Sequence, residues 1–401
     1  MGGGGDPAQV LPPVGQDEGE LPFAPRPGSV GIVLARSLAL PGRFPLEGGR
    51  WLDDLTVAYE TYGSLNARRD NAILLCHALS GDAHAAGYLD ERDRRPGWWD
   101  TMVGPGKAFD TDRYFVICSN VLGGCRGTTG PSSRDPATGR RYGGTFPVVT
   151  IGDMVRVQAL LLDHLGIEQL AGAAGGSMGG MQVLEWAARY PGRLRAAIVL
   201  AAAARLTAQA LAFNEAGRQA IIGDPRWRGG HYPPDDSPTG GLATARMIGH
   251  LTYLSAAGME ERFGRSLQDR AAPSYSFDAD FQVESYLRHQ AESFVRRFDA
   301  NSYLYITRAM DYFDLGAGAS SLAEALAPAT ARFLIVSVDS DWLYPTSQAR
   351  ELTAALAAAG KATTTVELSS PHGHDAFLLE HRALTPQIRA FLAEGTGVSG
   401  F

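Results

Sequence analysis

The chain has 401 residues, of which 45% are hydrophobic and 20% charged, with a formal net charge of −7. That length admits one large or two ordinary domains with a sizeable core. The acidic balance, with no block of Lys or Arg, argues against a nucleic-acid partner. Three cysteines, Cys76, Cys118 and Cys125, lack C-x-x-C spacing and read as reduced cytosolic thiols with no metal site.

Residues 1–27, rich in Gly, Pro and acids, read as a flexible arm. They lack the basic and apolar regions of a signal peptide. No apolar run approaches the ~20 residues of a membrane helix. A cytoplasmic protein without membrane contact is expected. Residues 30–34 and 55–61 look like strands of an antiparallel edge pair. Residues 72–77 and 114–118 are short continuous apolar runs, suited to strands buried on both faces of a parallel sheet. Residues 81–107 between them are loop-like.

Thr150 and Asp153 form a capping-box-like start to a helix with Met154, Val157, Leu161 and Leu165 on one face. Gly166 ends it. A strand at 170–175, a helix running to Tyr190-Pro191-Gly192 and a strand at 196–202 follow. Such alternation is the mark of parallel βαβ units. It stops between about 205 and 325, where helical patterns and irregular loops replace buried strands. It resumes with a strand at 333–338, a helix at 346–359, a strand at 364–368 and a helix opening at Thr385-Pro386. An insertion of about 120 residues reads as a helical lid over the strands' carboxyl ends, the edge where open α/β sheets bind ligands.

The strand at 170–175 runs into Gly175-Gly176-Ser177-Met178-Gly179, a G-x-S-x-G motif followed at once by a helix. That context is the nucleophile elbow of an α/β-hydrolase fold: a mostly parallel sheet, helices on both faces and a helical lid. The division is then 28–204 with 326–401 as core and 205–325 as lid. Ser177 needs a base and an orienting acid, which in this fold follow it in the order acid, then His. Asp339 and Asp341 follow one strand, and His372 and His374 the next; composition does not choose within either pair. The oxyanion hole should use the backbone N–H of Met178 and of Leu79, in the loop after the strand that ends at His77. His77 precedes the nucleophile and reads as structural. The glycine-rich loop 120–130 lacks the ending of a phosphate loop and is expected to line the active-site pocket. For Arg205, Arg218 and Arg246 of the insertion, a structural ion pair is at least as good a reading as a substrate contact.

The chain resembles the homoserine O-acyltransferase family of α/β-hydrolase type. The matching stretches are His77-Ala78-Leu79-Ser80-Gly81-Asp82-Ala83-His84, Gly97-Trp98-Trp99-Asp100, Cys118-Ser119-Asn120-Val121-Leu122-Gly123-Gly124-Cys125, Gly175-Gly176-Ser177-Met178-Gly179-Gly180-Met181-Gln182, Phe213-Asn214-Glu215, Arg246-Met247-Ile248-Gly249-His250-Leu251-Thr252-Tyr253, Asp299-Ala300-Asn301-Ser302-Tyr303, Ser340-Asp341-Trp342-Leu343-Tyr344-Pro345 and Gly373-His374-Asp375-Ala376-Phe377-Leu378. The resemblance implies Asp341 as the acid and His374 as the base. It also implies Arg246 on the homoserine carboxylate, Asp375 on its ammonium, and a homodimer formed through the lid helices. The implied reaction is ping-pong acyl transfer from an acyl-CoA to L-homoserine in methionine biosynthesis, with no bound cofactor. Succinyl-using relatives carry an arginine two residues after the acid. Leu343 stands there, so acetyl-CoA is the expected co-substrate. Succinyl transfer, serine as acceptor, and a plain esterase are the competing readings.

Overall fold

The computed structural model describes residues 24–394. Most of the expected N-terminal arm, 1–23, and the last residues of the expected core, 395–401, lie outside them. Eight strands form one sheet: β1 (Arg36–Pro45), β2 (Trp51–Tyr62), β3 (Ala72–Cys76), β4 (Phe115–Ser119), β5 (Gly172–Gly176), β6 (Ala196–Leu200), β7 (Arg332–Val338) and β8 (Thr363–Leu368). Their order is β1-β2-β4-β3-β5-β6-β7-β8, antiparallel at β1-β2 and β2-β4 and parallel from β4 to β8. Every residue of β3, β5 and β6 is buried. Continuous apolar runs therefore fill the middle of the sheet, as strands covered on both faces require.

The first strand is not where the periodicity puts it. Residues 30–34 make only an isolated bridge, Ile32 to Tyr88, and Ile32 and Leu34 are exposed. β2 pairs instead with β1, whose register slips between Leu40 and Arg43. Pro41-Gly42, a turn signal in the sequence, is absorbed there as a bulge, with Gly42 at φ 90°. An edge strand tolerates a missing N–H and a bulge where a central one does not.

The helices are α1 (Ile151–His164), α2 (Met178–Arg189), α3 (Ala208–Ile222), α4 (Thr239–Tyr253), α5 (Ala256–Arg262), α6 (Gln282–Val295), α7 (Ala300–Tyr312), α8 (Leu322–Leu326), α9 (Thr346–Ala358), α10 (Ala376–Leu379) and α11 (His381–Ala393). The capping box at α1 forms as expected: Asp153 N–H donates to Thr150 Oγ1 at 3.0 Å, and Thr150 N–H to the Asp153 carboxylate at 3.2 Å. The last helix begins at His381 rather than Thr385. Its first turn closes when the Ala383 and Leu384 N–H groups donate to Glu380 O, at 3.1 and 3.0 Å. Buried Leu384 and Ile388 then hold the helix on the sheet despite Pro386 inside it.

Alternate β3 residues feed two cores, Leu74 and Cys76 on the face with α1 and α2, Ile73 and Leu75 on the face with Trp99, Phe109 and α11. Between β6 and β7 the chain carries α3 to α8 and no sheet strand. Short contacts fasten this insertion to the core. A Cβ on Gly144 would lie 2.1 Å from Gly229 O, and one on Gly373 would lie 2.7 Å from Tyr253 O. Ser255 Oγ bonds Pro371 O, and Trp342 Nε1 donates to Leu254 O at 3.0 Å.

Candidate active site

Ser177 stands at the carboxyl end of β5, at φ 57° and ψ −126°, a backbone that L side chains rarely adopt. The glycines around it follow from packing. A Cβ on Gly179 would lie 2.0 Å from Cys76 O, and one on Gly175 would lie 2.4 Å from the Gly179 backbone. Ser177 N–H donates to Leu200 O at 3.0 Å, tying the turn to β6. α2 starts directly after it, so the positive end of the helix faces the serine.

The two Asp–His ambiguities separate by geometry. Asp341 is 3% exposed. Its Oδ1 accepts from Leu343 and Tyr344 N–H at 3.0 and 2.9 Å, and its Oδ2 meets His374 Nδ1 at 2.7 Å. Asp339 instead ties down the loop after β8, accepting from Ser369 Oγ at 2.7 Å and Ser370 N–H at 3.1 Å. His374 is 3% exposed, whereas His372 is exposed and sits 3.9 Å from Glu380. Burial opposes protonation of His374, but the adjoining Asp341 carboxylate outweighs it and holds the imidazole above its ordinary pKa. Tyr344 stacks on His374 at 4.9 Å and lines one pocket with Ser177, while its buried phenol oxygen has no hydrogen-bond partner among the described residues. A serine at an elbow and an imidazole oriented by a buried carboxylate, with Tyr344 touching the histidine and lining the serine's pocket, are the parts that nucleophilic acyl transfer uses.

Leu79 and Ser177 both line a small pocket with Phe213, Tyr253, Tyr303, Leu343 and Tyr344. Among the described residues, no charged side chain lines it. Neither the Leu79 nor the Met178 N–H has a backbone acceptor among the described residues. His77 is structural: its Nδ1–H donates to Ala78 O at 2.8 Å while its Nε2 accepts from Val121 N–H at 3.2 Å. Burial pushes its pKa down.

The three insertion arginines divide. Arg205 pairs with Glu351 at 2.7 Å, and buried Arg218 with Asp311 at 2.7 Å and Glu215 at 2.8 Å. Both are structural pairs. Arg246 has no ion pair among the described residues. It lies over Phe294 at 4.6 Å and Tyr253 at 5.6 Å, with a buried Nε that has no partner. Asp375 follows His374, and burial raises its pKa, only partly offset by the positive charges of His374 and Arg246. The glycine-rich loop departs from expectation. None of residues 120–130 lines the Ser177 pocket. Its threonines bond β2, with Thr129 Oγ1 accepting from Thr56 N–H at 2.8 Å, and Asn120 Oδ1 accepts from Ala83 N–H at 3.0 Å. It buttresses the loop that carries Leu79. Sequence reasoning missed Tyr344, Tyr253 and Tyr303 around Ser177. The first lay in plain view, three residues beyond Asp341; the other two, in insertion helices, close two of the matching stretches, but nothing in their spacing tied them to Ser177.

Residues 71–381 match the family model for the alpha/beta hydrolase fold. A homoserine O-acetyltransferase of Methanosphaerula palustris is 57% identical over 365 residues, 91% of this chain and 74% of that protein. A homoserine O-succinyltransferase of Magnetococcus marinus is 56% identical over 378 residues, 92% of this chain and 96% of that one. Among solved structures, the homoserine O-acetyltransferase of Bacillus anthracis superposes with a TM-score of 0.86 at 32% identity, covering 92% of this chain and 100% of that one. Esterase E22 superposes at 0.83 and 34%, covering 90% and 100%. The chain belongs to the homoserine O-acyltransferase family of the α/β-hydrolase fold.

Proposed function

We propose that the chain is a homoserine O-acetyltransferase of methionine biosynthesis, working through an acetyl-Ser177 intermediate. His374 Nε2 takes the Ser177 proton as Oγ attacks the thioester carbonyl of acetyl-CoA. The oxyanion rests on the Leu79 and Met178 N–H groups. Collapse expels the CoA sulfur, which takes the proton from His374. The L-homoserine hydroxyl then gives its proton to His374 and attacks the acetyl carbonyl; collapse returns the proton to Ser177 Oγ and frees O-acetylhomoserine. Asp341 accepts from His374 Nδ1 and so fixes the imidazole tautomer. The core, 28–204 with 326–401, supplies this machinery, and the lid, 205–325, keeps water from the acyl-enzyme.

Arg246 takes the homoserine carboxylate and Asp375 its ammonium. An unpaired guanidinium and a carboxyl raised by burial are the groups a zwitterion would complete. Arg246→Ala is expected to raise KM for homoserine roughly 30-fold or more, while thiol release from acetyl-CoA in the first turnover stays intact. Unchanged acceptor kinetics would remove Arg246 from this role.

The observation that carries the acetyl donor is the charge-free lining around Leu343. A succinyl group would bury its carboxylate there without a partner, which is costly. The test is kcat/KM with acetyl-CoA and succinyl-CoA, in the wild type and in Leu343→Arg, with homoserine and with serine. A wild type that prefers succinyl-CoA refutes the donor; transfer to water in preference to homoserine favours the esterase reading. A cytoplasmic homodimer joined by lid helices completes the proposal. Exposed Leu251, Phe277 and Tyr312 on the insertion support that joint.

A further inference from the structure

Arg297 lies in the turn between α6 and α7, partly buried, with no ion pair among the described residues. Its guanidinium sits 5.3 Å from the Phe294 ring and donates from Nη1 to Ser80 O at 2.8 Å. Its charged neighbours are Arg246 and Arg126, and Asp82, which faces Arg126 at 3.9 Å. Burial lowers its pKa, so the charge is held at a cost.

The carbonyl it holds belongs to the Ser80–Gly81 peptide. The N–H of that peptide donates to Ala78 O at 2.9 Å. The Ala78 carbonyl belongs in turn to the peptide whose N–H is that of Leu79. Two peptide groups thus stand head to tail between the guanidinium and Leu79. His77 Nδ1–H adds a second donor to the same Ala78 oxygen. Hydrogen bonds in such a chain polarise one another, each donor strengthening the next. Gly81 is required for the middle link, because a Cβ there would lie 2.9 Å from His77 Cβ and 3.3 Å from Ala78 O.

We propose that Arg297 is a positioning residue whose charge, passed through the Ser80–Gly81 and Ala78–Leu79 peptides, aims and polarises the Leu79 N–H at the acyl oxygen. It rests on the reading of Leu79 as an oxyanion donor. Because Arg297 belongs to the insertion and Ser80 to the core, the oxyanion hole reaches full strength only with the insertion seated.

The test uses the full chain as wild type, Arg297→Gln, Arg297→Lys and Gly81→Ala. Three quantities are measured: the first-turnover rate of thiol release from acetyl-CoA, KM for homoserine, and affinity for two matched ligands. One ligand is a trifluoromethyl ketone, which forms a tetrahedral adduct with Ser177; the other is the methyl ketone, which does not. Arg297→Gln is expected to slow acylation roughly 10- to 100-fold, less than the loss of a whole oxyanion donor. It should weaken the trifluoromethyl ketone by a similar factor and leave the methyl ketone and KM for homoserine within about two-fold. Lysine should restore most of the loss, and Gly81→Ala should reproduce it. Equal weakening of both ketones, with a lowered thermal midpoint, makes Arg297 a simple clasp and overturns the proposal. So does a change confined to KM for acetyl-CoA and absent with a short acetyl thioester, which marks Arg297 as a phosphate contact. A wild type that forms neither adduct nor acetyl-enzyme brings down the acyl-enzyme reading itself, and this proposal with it.

Discussion

Ser177→Ala is expected to lower kcat/KM for acetyl transfer by about 10⁴-fold or more and to abolish the acetyl-enzyme seen by mass spectrometry. The substitution removes one oxygen from a residue held by its backbone, through Ser177 N–H to Leu200 O and through Gly180 and Met181 N–H to Ser177 O. The fold should therefore survive. His374→Ala should lose about as much, since nucleophile and base act as one unit and their losses do not add. A Ser177→Ala protein retaining a tenth of the wild-type rate would show that acyl transfer proceeds without a covalent intermediate.

Asp341→Asn carries the second large effect, about 10⁴-fold in kcat. An amide facing His374 Nδ1 offers either oxygen or nitrogen, and the nitrogen would select the wrong tautomer. The acid limb of the pH profile should move as well. In the wild type the Asp341 carboxylate outweighs burial and holds the His374 pKa above its ordinary value, so the neutral base is lost as pH falls through that raised pKa. With the Asp341 charge gone, only the weaker pull of Asp375 still opposes burial, so the pKa falls and the limb should shift to more acid pH. Asp339→Asn should stay near wild-type activity, because the Asp339 carboxylate is spent on Ser369 and Ser370 in the loop after β8 and not on His374. A dead Asp339→Asn beside an active Asp341→Asn would reverse the assignment.

What could be read from the sequence was local. Buried runs such as Ala72–Cys76 and Ala196–Leu200 need only the rule that a strand covered on both faces is apolar throughout. The elbow is equally local, since glycines, serine and helix follow within a few residues. β1 was hidden because Pro41-Gly42 breaks its alternation while 30–34 imitates a strand. Asp339 and Asp341 are two residues apart at a strand end, and only the fold of the 369–375 loop decides which one faces His374. Resemblance named Asp341 and His374, the two members that face each other at 2.7 Å, where spacing did not choose. Arg297 was invisible, because its partner is a backbone carbonyl 217 residues away, and no side-chain pattern records that.

The parallel pairing of β6 with β7 also sets an order of events during synthesis. About 130 residues separate Leu200 from Arg332. At roughly 5–20 residues per second, β6 waits on the order of 7–26 s for its neighbour. Through that interval the open edge of Ala196–Leu200, all of it apolar, is a template for wrong pairing. Ser177 has by then been made, while Asp341 and His374 have not. A ribosome-bound chain stalled before β7 should carry a finished elbow with no acyl-transfer activity, and should be the form most dependent on chaperones.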